Sequence, residues 1–340
     1  MKLCLFRLFA LAAAAAGLFA QTAGVQGIVT DPGGAVVADA QVAVVNTATQ
    51  SRQAVQTNSG GRYSVPFLAP GVYRVEVNAS GFAQAIRENL QLNVQQLARL
   101  DFTLTIGAVA ETIEVSGATA LLESEQTVMG QVIDNKRIVE MPLNQRNYLE
   151  LARLTAGVIP GNIIGSGTRP GQSEGGFIAM GQHGYQNEVL LDGVDNSSRA
   201  GGGPLGFQAQ ASKPSVDAVA EFKVITNNFS AEYGYRMGPK AIVSLKSGSN
   251  KLHATLFEFA RNDKFDGTNF FANRSGSQKP TLRQNQFGGT IGGPVIRDRT
   301  FFFFSYQGTR IRAGRSLLST VPSAQAIGGD FSSERADLNR

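Results

Sequence analysis

The chain has 340 residues, of which 42% are hydrophobic and 17% charged, with a formal net charge of +5 and one cysteine. That length allows two or three domains, and no apolar run reaches the roughly 20 residues of a membrane-crossing helix, although crossing by strands stays open. The basic excess is local, with 16 Lys and Arg against 8 Asp and Glu in residues 232–340. No helix-turn-helix, zinc-ligand set or RNA-binding aromatic motif accompanies it, so nucleic acid is not an expected partner.

At the N-terminus Lys2 and Arg7 accompany the apolar stretch Leu8–Leu18, and Ala20 or Ala23 supplies a small residue for cleavage. This is the pattern of a secretory signal peptide, residues 1–20. Cys4 precedes the apolar stretch, where a lipoprotein cysteine would follow it. Removing the leader leaves 29 basic against 26 acidic residues and no cysteine for a disulfide or thiolate metal site.

Residues 24–107 read as short strands punctuated by turns. Val25–Thr30, Ala40–Asn46, Arg62–Phe67 and Val72–Ala79 alternate, separated by Asp31-Pro32-Gly33-Gly34, Ser59-Gly60-Gly61 and Pro70-Gly71. In the last strand Tyr73, Val75, Val77 and Ala79 oppose Val72, Arg74, Glu76 and Asn78. Such spacing predicts a β-sandwich. The stretches Gly27–Asn46 (GIVTDPGGAVVADAQVAVVN), Gly60–Phe82 (GGRYSVPFLAPGVYRVEVNASGF) and Leu100–Gly107 (LDFTLTIG) resemble the carboxypeptidase-regulatory-like domain, an immunoglobulin-like sandwich. Its carbohydrate-binding-like fold group suggests a sugar ligand only by analogy, and Tyr63, Phe67, Tyr73 and Phe82 are expected in the core or in turns rather than on a sugar platform.

Residues 108–118 follow as a tether. Glu111, Thr112, Ile113, Glu114, Val115 and Ser116 alternate briefly between Gly107 and Gly117, which suits either a last sandwich strand or a free segment captured by a partner's sheet edge. Residues 119–248 mix helix and strand signals. Asn144–Thr155 has near-helical spacing, Phe177–Met180, Glu188–Leu191 and Glu221–Thr226 are strand candidates, and Asp192-Gly193 closes the second. Glycine-rich stretches, Gly161–Gly176 and the one within Ser197–Gly206, read as loops.

From residue 249 onward three segments alternate: Leu252–Arg261, Gln284–Gly292 and Thr300–Ile311. Thr255, Phe257 and Phe259 share one face of the first. Phe287, Gly289 and Ile291 oppose Gln286, Gly288 and Thr290 in the second, and Phe302, Phe304 and Tyr306 oppose Ser305, Gln307 and Thr309 in the third. A dyad pattern suits both a soluble sandwich and a transmembrane barrel with its greasy face to lipid. The long polar link Asn262–Arg283 and the short one Pro294–Arg299 favour the barrel, because outer-membrane barrels alternate long outer loops with short periplasmic turns. Phe270–Phe271 and Phe301–Phe304 suit interfacial girdles.

The segments Val132–Leu151, Asn187–Asn196, Val219–Gly234, Ala241–Asp263 and Gln284–Gly308 occur in the order of, and resemble, Oar-like TonB-dependent outer-membrane receptors. Two departures stand out: Met180-Gly181-Gln182-His183 replaces an Arg-Gly or Gly-Gln-Arg motif, and Arg236–Lys240 reads RMGPK where glycines are usual. The resemblance implies a mainly β chain: an immunoglobulin-like sandwich, an α+β plug domain and the first strands of an incomplete transmembrane β-barrel. It implies energy-coupled uptake of a solute, with Glu111–Ser116 as a TonB box grasped by a TonB-type periplasmic protein. The other implied partners are outer-membrane lipid and lipopolysaccharide facing basic loops, and a carbohydrate or siderophore-like ligand. Loops Gly161–Gly176 and Ser197–Gly206 are candidate ligand-facing apices. Three strands cannot close a barrel, so the chain is expected to be a fragment that does not transport by itself. The competing expectation is a secreted carbohydrate-binding or adhesion module.

Enzyme chemistry finds little support. His183 and His253 are the only histidines, no G-x-S-x-G or HExxH is present, and the twelfth position counted from Asp192 is Gly203 rather than the Glu of a calcium loop. No cofactor and no metal site is expected.

Overall fold

The computed structural model describes residues 23–107, 112–114, 128–143, 146–160, 177–182, 186–197, 210–231, 233–234, 236–268, 270–274, 276, 279, 281–314 and 324–330. The expected signal peptide, Glu111, Val115, Ser116, His183 and the stretches 161–176 and 198–206 lie outside these residues. The architecture is mainly β, with three successive β-rich regions and no closed barrel among the described residues.

The first region is a sandwich of β1 (Ala23–Thr30), β2 (Gln41–Asn46), β3 (Arg52–Gln56), β4 (Arg62–Leu68), β5 (Gly71–Asn78), β6 (Gln84–Leu92), β7 (Leu97–Arg99), β8 (Phe102–Thr103) and β9 (Thr112–Glu114). One sheet has the order β4-β1-β7 with β8 also on β1, and the other β3-β2-β5-β6-β9. Alternate valines face inward and are fully buried: Val25 and Val29 from one sheet, Val42, Val44, Val75 and Val77 from the other. Each such burial contributes about 1.5–3 kcal/mol. Tyr63 and Tyr73 belong to this core, and the Tyr63 hydroxyl donates to Leu100 O at 2.6 Å. Gly27 is required where β1 passes Leu100, because a Cβ there would lie 1.9 Å from Leu100 O. Asp31 Oδ1 accepts from Gly33 N–H (2.9 Å) and Ala35 N–H (2.8 Å), which closes the first turn locally. Phe67 departs from the expected core or turn packing: it is 58% exposed, with a left-handed φ of 61°. Phe82 packs against the core, partly buried.

The second region is an α+β unit around a sheet of order β10-β15-β16-β13-β14, with β10 (Met129–Asp134), β13 (Glu188–Leu191), β14 (Val194–Asp195), β15 (Val219–Asn227) and β16 (Lys240–Leu245). A small two-stranded sheet pairs β11 (Val158–Pro160) with β12 (Phe177–Ala179). Helix α1 (Asn135–Glu140) starts at Asp134, whose Oδ1 accepts from Arg137 N–H at 2.9 Å. The near-helical stretch expected at Asn144–Thr155 is a 3-10 helix, Tyr148–Leu154, capped by Asn147. Seven residues are too few to repay α-helix nucleation unaided, and packing holds it instead. Tyr148, Leu149, Leu151 and Ala152 are buried with Phe222, Val224, Ala241 and Val243, and the Tyr148 and Phe222 rings meet edge to face at 5.5 Å. The Asp192-Gly193 turn joins β13 to β14 as expected.

The third region is a sheet of order β17-β18-β19: β17 (His253–Asn262), β18 (Leu282–Ile296) and β19 (Thr300–Ala313). Helix α2 (Phe270–Arg274) interrupts the long link, and α3 (Ala324–Ile327) follows the last strand. β18 and β19 run to 15 and 14 residues, longer than the alternation suggested. The short link shrinks accordingly, because Pro294, Val295 and Ile296 continue the strand and only Arg297–Arg299 turn. Two units separate by packing, one within Met1–Leu256 and Gly288–Gln307, the other within Phe257–Phe287 and Gly308–Arg340.

Candidate functional site

In the third sheet, β18 and β19 bury polar side chains on one parity and expose apolar ones on the other. On β18, Gln284, Gln286 and Thr290 are 5%, 5% and 7% exposed, whereas Ile291 and Val295 on the opposite parity are 38% and 65% exposed. On β19, Phe302, Phe304 and Tyr306 are exposed while Ser305 and Gln307 are half-buried. These two strands keep the same sense. Leu256, 92% exposed, lies over Gly289, where a Cβ would come within 2.7 Å of it. The Phe287 ring covers Gly308 and faces the Arg310 guanidinium at 5.8 Å.

β17 corrects one expectation. The Thr255 hydroxyl is 2.6 Å from that of Thr290, so Thr255, itself exposed, is on the same side of the sheet as Thr290. Phe257 and Phe259 share the parity of Thr255 and cannot form the greasy outer face. Leu256 takes the outer side, together with Glu258 of the same parity.

Thr112–Glu114, the described part of the tether motif, adds to the sandwich as parallel strand β9, with Thr112, Ile113 and Glu114 opposite Gln84, Ala85 and Ile86 of β6. Among the described residues β9 ends the sheet, with no strand beyond it. His253 is exposed on β17.

The second region holds buried charges that composition does not reveal. β15 is covered on both faces. Phe222 and Val224 enter the main core, and Glu221, Lys223 and Ile225 point the other way. On that second face Lys240 is completely buried, its Nζ 2.8 Å from Glu188 Oε2. The same ammonium donates to Arg236 O and lies 4.6 Å above the Phe229 ring. RMGPK is therefore no mere loop variation, since its last residue is the first of β16 and the cation of a buried pair. Arg146 pairs with Asp217, both nearly buried; desolvation lowers the guanidinium's pKa while Asp217 opposes the shift. Glu221 accepts the Val94 N–H of the sandwich. Burial pushes its pKa up to about 7, with Asp134 adding to the rise and the Val94 N–H and Lys223 opposing it.

A cleft of about 920 Å³ is lined by Asn46, Tyr73, Asp192, Lys246, His253 and Phe303 among others. Several of its polar groups are already committed. Asn46 Oδ1 accepts from Ala48 and Thr49 N–H, and Asp192 Oδ1 from Leu245 N–H. Among the described residues no cluster of three or more metal-ligating side chains occurs.

Residues 24–105 match the carboxypeptidase regulatory-like domain, and residues 244–339 match an outer membrane beta barrel domain. The TonB-dependent transporter Oar of Myxococcus xanthus is 26% identical over 314 residues. The chain is related to Oar-like TonB-dependent outer-membrane receptors. The alignment covers 88% of this chain and 28% of that transporter, so the chain spans under a third of its relative's length. A barrel domain of this class locates it in the cell outer membrane, which agrees with the exposed apolar face of the third sheet. Solved structures similar in part include hydroxyquinol 1,2-dioxygenase from Pseudomonas putida (12% identity, TM-score 0.21, 25% of this chain and 57% of that one). A streptococcal ancillary pilin matches likewise (17%, 0.21, 25% and 32%). Likenesses of that size say nothing about activity here.

Proposed function

We propose that the chain is the N-terminal part of a receptor for energy-coupled uptake of a solute across the outer membrane. The second region serves as the plug, and a TonB-type periplasmic protein grips Glu111–Ser116. The supporting observation is the burial of β18 and β19, which bury polar side chains on one parity and expose apolar ones on the other, as suits a lumen on one face and lipid on the other. Thr112–Glu114 take the place of a last sandwich strand, and the coupling role rests on release or extension of that strand. β9 is a terminal strand whose main chain can be extended or exchanged by a partner's sheet edge. Three strands do not make a barrel, and transport belongs to a wall completed by further strands. The solute is selected by the outer loops of such a wall.

The chain has no tryptophan, so single-Trp reporters are clean. Phe304→Trp and Ser305→Trp are reconstituted in vesicles containing lipids brominated on their acyl chains. The lipid-facing reading expects strong quenching at position 304 and weak quenching at 305. Equal quenching at the two positions would remove the basis for a transmembrane wall.

A further inference from the structure

Val94 has no exposed surface, yet it is absent from the sandwich core. It sits in the turn between β6 and β7, among Asn93, Gln95 and Gln96, where a valine would ordinarily face water. Its neighbours belong instead to the second region: Ile225 of β15, Ile242 of β16 and Tyr233 from the connection between them, with Val128, Leu190 and Phe229 at the margin. Its backbone N–H is donated to the Glu221 carboxylate.

The turn is built to present this residue. Gln96 Oε1 accepts from Asn93 N–H at 2.9 Å, Gln96 N–H donates to Asn93 O at 3.1 Å, and Gln96 O accepts from Gly24 N–H of β1 at 2.9 Å. Gln95 takes a left-handed φ of 54°. A turn so tied behaves as a rigid knob, and β15 with β16 forms its socket.

We infer that the Asn93–Gln96 turn is a docking element that clasps the sandwich to β15. The connection after β9, residues 115–127, then joins two parts that are both held on β15, the sandwich through Val94 and β10 by pairing. The far end follows from pairing: Val128 packs in the same cluster, and Met129 and Gly130 of β10 lie opposite Asn227 and Ile225 of β15. With the clasp closed, a pull on Glu111–Ser116 is shared between the Val94 seat and the Met129 end of β10. With it open, the whole load enters β10. The mechanical consequence rests on the coupling role proposed above, whereas the docking itself does not.

The test uses the whole chain with Cys4→Ser and one reporter thiol, either Val94→Cys or Ser59→Cys, the latter on an exposed turn. Maleimide labelling rates are compared in detergent at neutral pH. Docking expects the thiol at position 94 to react at least ~10-fold more slowly than the one at position 59, following the several-kcal/mol openings that protect buried groups. It also expects Tyr233→Asp or Tyr233→Ser, placed between strands and outside the main core, to raise the rate at position 94 toward that at position 59. An unchanged tryptic pattern of residues 128–248 verifies that the second region stays folded in at least one of the two. Fast labelling at position 94 from the start overturns the clasp, and so does slow labelling that neither Tyr233 substitution relieves, since protection would then arise within the sandwich. Loss of partner crosslinking at Val115 would count against the coupling role and leave these rates unaffected.

Discussion

Removing the Lys240 cation should cost more than removing the whole Lys240–Glu188 pair. Lys240 is fully buried and its Nζ lies 2.8 Å from Glu188 Oε2. At an effective dielectric near 20, charges at that separation attract by about 6 kcal/mol, before the desolvation of both is subtracted. Lys240→Met leaves a buried, uncompensated carboxylate and should destabilise the second region by about 3–5 kcal/mol, with Glu188→Met similar. In Lys240→Met/Glu188→Met no charge is stranded. Only the Arg236 carbonyl loses its donor, for about 1 kcal/mol, so the double variant should fall within roughly 2 kcal/mol of the parent. With a urea m-value of about 2 kcal/mol/M, the single variants lower the unfolding midpoint by about 1.5–2.5 M and the double by under about 1 M. Urea titration in detergent, followed by proteolytic susceptibility of residues 128–248, reads the difference. Additive single losses, or singles within about 1 kcal/mol of the parent, would refute the buried pair as a coupled unit.

Glu221 has a folded-state pKa raised from 4.5 to about 7, so the folded chain binds the extra proton and its stability falls as pH rises from 4.5 through 7. The rise corresponds to up to about 3 kcal/mol, and Glu221→Gln should flatten that part of the pH–stability curve in thermal melts from pH 4 to 8. Crosslinking from a photoreactive residue at Val115 should capture a TonB-type protein in membranes, and Ile113→Pro, which removes a main-chain donor from the strand, should reduce capture at least several-fold; undiminished capture would speak against strand pairing. Tyr63→Phe loses the hydroxyl donated to Leu100 O and should cost about 1–3 kcal/mol in the sandwich, because the carbonyl is left buried without that donor; a melting temperature within 1 °C of the parent, as a rough bound, would contradict this.

Period was legible in the sequence, and sense often was not. Val75 and Val77 alternate with Arg74 and Glu76, so the buried face of β5 follows from the pattern alone. The same reasoning fails on β17. Phe257 and Phe259 look like a lipid face, but only the Thr255–Thr290 contact shows which side they take. Gly292-Gly293-Pro294 has turn composition and hides the end of β18, whereas the sheet carries the strand to Ile296. β3 and β6 are rich in Gln, Arg and Asn and carry no clear apolar alternation, and they are recruited by pairing with β2 and β5. The buried ions had weak local signals: Lys240 sits in a Gly-Pro context, and Glu188 opens an apolar strand, where an acid is worth questioning. Val94 had a better one, as a lone β-branched residue within a polar turn.

The exposed apolar row of the third sheet also weighs on the proposed receptor role against an adhesion module, because the alternative carries a cost that can be sized. A soluble adhesion module would keep Leu256, Ile291, Phe302, Phe304 and Tyr306 in water, forfeiting about 1.5–3 kcal/mol for each side chain it could have buried. Turning the sheet over would bury that row and leave Gln284, Gln286 and Thr290 in water at little cost, but it would bring Phe257 and Phe259 out with them. Against hydrocarbon the account reverses. The exposed row meets a solvent as apolar as itself, and the costly step becomes leaving a strand edge unpaired at several kcal/mol per polar group. That cost falls on the outer edges of β17 and β19, so the lipid environment that favours the faces of this sheet also demands further strands to pair with its edges.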